Sequence, residues 1–175
     1  MSDMKRSALF LAGLLFATFC SANQSDLANV GVIQYRHFGL IPVFDATFRA
    51  PEPEQAIDPL GEFSKELEFQ YARKIPCETL IEAAAKILRR NASPQELKTI
   101  DERIRALNDS YSDVGPGDRY TLRYEPGIGT SLLRNGELKH RIPGEDFHRI
   151  YFSIWLGPKA PFELKTEMWD QSRVR

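Results

Sequence analysis

The dipeptide Asn135-Gly136, set between the runs 130–134 and 137–142, constrains this chain more than any other feature. A two-residue turn needs positive φ at its central positions, which Asn and Gly tolerate, and only antiparallel strands can be joined by so short a link. A second pair of strands is expected at 31–37 and 41–48, both rich in β-branched and aromatic residues and separated by Phe38-Gly39-Leu40. Residues 66–75 alternate Leu67, Phe69 and Tyr71 with Glu68, Gln70 and Ala72, the period of a half-buried strand, and 119–125 alternates in the same way.

Helices fall between and after these strands. Leu80, Ile81, Ala84, Ile87 and Leu88 recur at helical spacing after Pro76, with Arg89 and Arg90 at the end where cations suit the helix dipole. Ser93-Pro94-Gln95-Glu96 reads as a capping box opening a second helix, with Asp101 and Arg105 one turn apart on its outer face. Phe147, Ile150, Tyr151, Ile154 and Trp155 mark a third, over 146–156, stopped by Gly157-Pro158. A short last helix is expected over 162–169. The segment 49–61, where Pro51, Pro53 and Pro59 interleave with acidic residues, is expected to be a loop, either a solvated connection or a lid. Because strands and helices are grouped rather than alternating, the chain is expected to be α+β, with an antiparallel sheet carrying helices on one face.

The N-terminus is read as a separate segment. Residues 1–22 combine Lys5 and Arg6, an apolar run from Ala8 to Phe19, and Cys20-Ser21-Ala22. This is the pattern of a secretory signal peptide, and a run of that length falls short of the roughly twenty residues a spanning helix needs. Export to the periplasm follows, with 23–175 as the mature domain. A lipidated Cys20 and a retained anchor stay open beside cleavage, although bulky Phe19 precedes the cysteine. Removal of the segment leaves Cys77 as the only cysteine, so packing rather than an internal disulfide must hold the domain.

Composition narrows the function. The chain is 42% apolar and 27% charged with a formal net charge of −1, and it has no cluster of Lys and Arg longer than a pair. Neither a nucleic-acid backbone nor an anionic membrane surface is expected as a partner on this charge balance. No phosphate-binding glycine loop, zinc-protease pair, dithiol pair or nucleophile elbow occurs, so no cofactor and no metal is called. His37, His140 and His148 are read as satisfied surface histidines, and Cys77 as an inert thiol on the apolar face of its helix. Arg36, in the apolar and aromatic strand around Tyr35, either faces solvent or binds an anion. Tyr151 and Ser153 place hydroxyls beside the buried seam of the third helix, where they can line a pocket or serve packing. Arg36, Tyr151 and Ser153 are the candidate ligand-binding residues.

The succession IPVFDATFRA from Ile41, LEFQYARKI from Leu67, DVGPGDRY from Asp113, PGIGT from Pro126, LRNGE from Leu133 and FSIWLG from Phe152 resembles the bacterial exported proteins of the chalcone isomerase-like family. The resemblance spans roughly 29–169. It implies an open-faced β-sandwich, a large antiparallel sheet backed by helices. Plant enzymes of this fold close chalcones to flavanones by intramolecular addition, using an Arg, hydroxyl groups and an Asn in a cleft between sheet and helices. Other members bind fatty acids without isomerising anything. Here Val32 and Ile33 follow Gly31 where those enzymes carry the Arg, and Arg36 is out of register. Val43 stands near the position of their Thr, and 77–91 has no counterpart of their Tyr and Asn pair. Only Ser153 matches a catalytic hydroxyl.

The expectation is therefore an exported, non-catalytic member that binds an apolar ligand such as a fatty acid between sheet and helices. Two alternatives stand beside it. One is an intramolecular lyase acting on a chalcone-like or enone substrate, favoured by convergence of Arg36, a Tyr and Ser153. The other is a cell-envelope interaction module without a ligand, favoured by a filled interior.

Overall fold

The computed structural model describes residues 27–51 and 58–165. The signal segment and the middle of the 49–61 loop lie outside the described residues. Among the described residues, seven antiparallel strands, β1 (Ala28–His37), β2 (Ile41–Ala50), β3 (Lys65–Tyr71), β4 (Arg119–Glu125), β5 (Gly129–Arg134), β6 (Glu137–Ile142) and β7 (Leu164–Lys165), form one sheet in the order β6-β5-β4-β3-β2-β1-β7. Three helices, α1 (Cys77–Asn91), α2 (Pro94–Asn108) and α3 (Asp146–Leu156), complete the α+β, open-faced sandwich.

Alternation in the strands sends Ile33, Phe44, Phe48, Leu67, Phe69, Tyr120, Leu122 and Leu132 inward, each almost wholly buried. The other face carries charge and needs no helical cover. Glu66 there is held on both oxygens, by Arg49 at 2.5 Å and by Arg123 at 2.8 Å, while Arg36 pairs with Asp45 at 2.7 Å. Thr121 and Ser131 are buried on this face, and Arg141 Nε donates to Ser131 Oγ at 3.2 Å.

β1 begins at Ala28, three residues before the expected start, and three other boundaries also differ from expectation. The strand expected over 66–75 ends at Tyr71, because the chain leaves the sheet to bring Pro76 to the start of α1, and Ile75 makes an isolated bridge with Val114. β2 continues to Ala50, with Arg49 kept in the ladder by its ion pairs to Glu66 and Glu68. The expected last helix is corrected at its start. Leu164–Lys165 instead pair with Ile33 and Val32, occupying backbone groups that β1 would leave open at the sheet edge. Residues 166–169 lie outside the described residues.

The helix signals hold where the caps are. Ser93 Oγ accepts from Glu96 N while Glu96 accepts from Ser93 N at 2.7 Å, the reciprocal capping box read from the sequence. α1 has no side-chain cap at Pro76. Its first N–H, on Cys77, donates instead to Asp113 Oδ1 at 3.0 Å, from a segment far along the chain. Gly157 closes α3 against α1, and a Cβ there would lie 2.6 Å from Asn91 Oδ1.

Candidate functional site

The sandwich has two ends. The β1–β2 turn, the exit of β3 and the start of α1 lie at one, here called the hairpin end. The segment 58–64, the β4–β5 turn and the start of α3 lie at the other. α1 bears an apolar stripe, yet only Ile87 and Leu88 of that helix are buried. The cause is local: on the side of α1 that faces the cleft, Ala83 and Ala84 are too short to reach the sheet. Space opens between α1 and the rings of Phe44 and Phe69.

That space forms a cleft in two parts. The outer part, of about 470 Å³, has walls of Val43, Phe44, Leu80, Ile87 and Phe162 and a rim of His37, Arg73, Lys74 and Thr79. The inner part, about 80 Å³, shares Phe44, Leu80, Ile87 and Phe162 with it and ends on Tyr71, Tyr111, Tyr151 and Trp155. A further cavity of about 190 Å³ lies among the three helices and shares Ile81, Ala84, Tyr151 and Ile154 with the inner part. The volume of the outer part is within the roughly 300–1,000 Å³ of small-molecule sites, and its make-up, mostly apolar with a few polar groups, is theirs too.

The polar groups are sorted along the cleft. At its floor the hydroxyls of Tyr111 and Tyr151 lie 3.4 Å apart. Burial raises both phenols, that of Tyr151 to about 12, and the phenol of Tyr71 is raised for the same reason. They remain neutral donors at any physiological pH. No Arg, Lys or His lines the inner part. The cations sit at the rim, where Arg73 and Lys74 make no ion pair among the described residues.

Of the three candidate residues, the structure brings only Tyr151 to the cleft. Arg36 lies on the opposite, polar face of the sheet, bound to Asp45. Ser153 is buried and donates to Ile150 O at 2.6 Å, a bond within its own helix. Arg36, Tyr151 and Ser153 thus do not converge. The rim residues Arg73 and Lys74, and Tyr111 at the floor, were missed. Arg73 and Lys74 were read as part of a strand, and Tyr111 lies in a loop that carries no periodic signal.

Two further readings are corrected. Cys77 stands at the first position of α1, half exposed, outside the core, because the stripe of that helix begins at Leu80. With Glu78 and Asp113 it forms a surface group of metal-ligating types, in which Asp113 already caps the helix. His148 is not a surface histidine. It is 3% exposed, stacked on Tyr124 at 3.6 Å between centroids, and neither ring nitrogen has a hydrogen-bond partner among the described residues. Burial, then the charge of Lys65, holds its imidazole below the usual histidine range.

Lys65 is the other surprise. It is wholly buried at the end opposite the hairpin, one step along the inward face from Leu67. Its Nζ donates to Pro59 O at 2.9 Å and to Gly61 O, and lies 4.2 Å from the centroid of Phe63. Burial lowers its pKa to about 7.

An antiparallel sheet with one face open and the other covering an apolar cleft under helices defines the class of open-faced α+β sandwiches. Residues 46–169 match the family described as chalcone isomerase-like, and the chain belongs to that family. No curated protein matches it. Among solved structures, the chain is similar to a fatty-acid binding protein of Arabidopsis thaliana, with a TM-score of 0.58 and 14% identity over 78% of this chain and 82% of that one. The likeness establishes the shared fold.

Proposed function

We propose that this protein binds a fatty acid or a similar apolar carboxylate in the cleft between sheet and α1, without isomerase chemistry, and that it does so after export to the periplasm. The observation that carries the binding reading is the sorting of the cleft: apolar walls, neutral phenols at the floor, and Arg73 and Lys74 at the rim with no ion pair among the described residues. An acyl chain fits the walls, and a carboxylate meets the cations where water still reaches it. The fatty-acid binding neighbour supports the same reading. Closing a chalcone would need a cation and oriented donors together around a phenolate. Here the phenol donors and the cations occupy different parts of the cleft. Export rests on the sequence of residues 1–22 alone.

Native mass spectrometry of the protein purified from the periplasm, followed by denaturing release, tests binding and export. The expected result is a one-to-one adduct that releases a fatty acid, on a chain that begins near Asn23. An apo mass that stays unchanged after incubation with long-chain fatty acids overturns the binding reading. A chain recovered only from the cytoplasm overturns export.

A further inference from the structure

Two of the hairpin turns of this chain each hold two successive residues at positive φ, and they differ in chemistry. At the β5–β6 turn, Asn135 and Gly136 have φ of 51° and 86°. At the β1–β2 turn, where Leu40 N donates to His37 O at 3.2 Å, Phe38 and Gly39 have φ of 53° and 74°. Left-handed backbone is easy for Asn and unfavourable for a bulky side chain, so the turn gives no reason for a Phe. Packing gives none either. Phe38 is 84% exposed and among the described residues its ring meets only that of His37, at 4.1 Å, while Leu40 is also 84% exposed and Ile41 46%. Three large apolar side chains therefore protrude at a tip that neither folding nor the core explains.

What surrounds the tip says what it fits. His37, at its base, lines the mouth of the cleft together with Arg73 and Lys74. A convex tip of three side chains is far smaller than the roughly 800 Å² per partner of a stable protein contact. Aromatic and aliphatic side chains flanked by cations instead suit the boundary between headgroups and acyl chains of an anionic lipid surface. We infer that the β1–β2 tip is a membrane-docking element, which inserts Phe38, Leu40 and Ile41 into an anionic lipid surface while Arg73 and Lys74 face its headgroups. Docked this way, the mouth of the cleft opens onto the lipid. Docking stands on the tip alone, whereas collection of a ligand from that surface rests on the fatty-acid reading.

The full chain carries an apolar segment at residues 8–19, so the test must read the tip itself. Leu40→Trp is mixed with phosphatidylcholine vesicles containing phosphatidylglycerol, with and without bromine-labelled acyl chains, against the parent protein as background for Trp155 and Trp169. The added fluorescence is expected to shift to the blue and to be quenched by the bromolipid. Phe38→Asn is expected to lower partition into anionic vesicles roughly tenfold or more while leaving the melting temperature unchanged or raised, since Asn is the better turn residue. Arg73→Glu combined with Lys74→Glu is expected to abolish the preference for anionic over neutral vesicles. An unquenched L40W signal, or a Phe38→Asn variant that partitions like the parent, overturns the proposal. So does a parent dimer that Phe38→Asn converts to a monomer, which would assign the tip to self-association. A fatty-acid titration without vesicles separates the two readings: if docking persists and the titration is flat, only the cleft reading fails, and the reverse outcome removes only docking.

Discussion

At the hairpin end of the sandwich, Ala83 and Ala84 of α1 line a cleft with Phe44 and Phe69, and its outer part holds about 470 Å³ of apolar space. At the opposite end, the same sheet is closed by the segment 58–64 and the first turns of α3, and the interior holds an amine and an imidazole. Tyr124 Oη, Thr130 Oγ1 and both nitrogens of His148 have no hydrogen-bond partner there among the described residues. The hairpin end forgoes packing contacts, and the closed end gives up hydration of polar groups. An apolar void forfeits dispersion but keeps its walls content, whereas a buried, unpartnered polar atom opposes folding directly. The contrast teaches where an apolar guest can be housed: the hairpin end offers apolar space, whereas the smaller space at the other end, about 220 Å³, lies among Glu62, Glu145, Asp146 and Arg149.

The largest effect that would break this contrast is a core truncation at each end. Phe152 is wholly buried at the closed end, and Phe152→Ala is expected to cost about 3–5 kcal/mol in urea unfolding. Phe162 packs edge-on against Tyr35 and Phe44 at the cleft, where space already exists, and Phe162→Ala is expected to cost less than about 2 kcal/mol. Equal losses would mean the two ends are packed alike.

The charged groups of the closed end give the next test. Folded Lys65 titrates near 7 against an ordinary 10.5, so between these values the unfolded chain holds a proton that the native protein has released. Stability should therefore rise with pH from about 7, by up to about 1.4 kcal/mol per pH unit. Above about pH 10 the raised phenols of Tyr71, Tyr111 and Tyr151 act in the other direction, because the unfolded chain then releases protons that the native state keeps. Urea midpoints from pH 7 to 9.5 should slope upward in the parent and lie flat in Lys65→Met. A slope that survives the substitution would place its origin elsewhere.

His148→Phe keeps the stack on Tyr124 and removes two unpartnered nitrogens, and it is expected to gain about 1–2 kcal/mol at neutral pH. Because the folded imidazole is held low, the parent should also lose stability as pH falls below about 6.5. The variant should lose less over that range.

Most of the fold was legible because period and punctuation agree with tertiary structure in this chain. Alternation in 66–71 and 119–125 reports one buried face, Asn135-Gly136 fixes a hairpin, and Ser93 with Glu96 marks a helix start that the structure keeps. The errors came where a single residue obeys the fold rather than its own chemistry. Lys65 continues the inward parity of Leu67, Phe69 and Tyr71, and extending that alternation two positions back was the available signal. His148 lies one helical turn from Phe152 and beside Phe147, so the same face could have been drawn through it. Leu164 joins an edge strand because β1 offers unpaired backbone there, which no local pattern encodes. The cleft itself was invisible for a related reason: Ala83 and Ala84 read as good helix formers, and only the position of the sheet turns their small size into space. Arg36 drew attention as the one cation in an apolar strand, whereas Arg73 and Lys74 gain their position from a strand that ends early.

The smallest expected effect decides which way a ligand lies. Tyr151 sits where the cleft meets the packed interior, with its hydroxyl 3.4 Å from that of Tyr111. Tyr151→Phe removes one weak, neutral hydrogen bond and should cost about 0.5–1 kcal/mol of stability. If the carboxylate rests at the rim, the floor sees only the end of an acyl chain, and fatty-acid affinity should stay within about twofold. Arg73→Ala combined with Lys74→Ala should then weaken it by about tenfold, because hydrogen bonds to charged groups contribute roughly 1.5–3 kcal/mol. The opposite pattern, a large loss in Tyr151→Phe and none at the rim, would turn the ligand around: its carboxylate would be buried against the two phenols, and the rim cations would be left to act on whatever surface the mouth of the cleft faces.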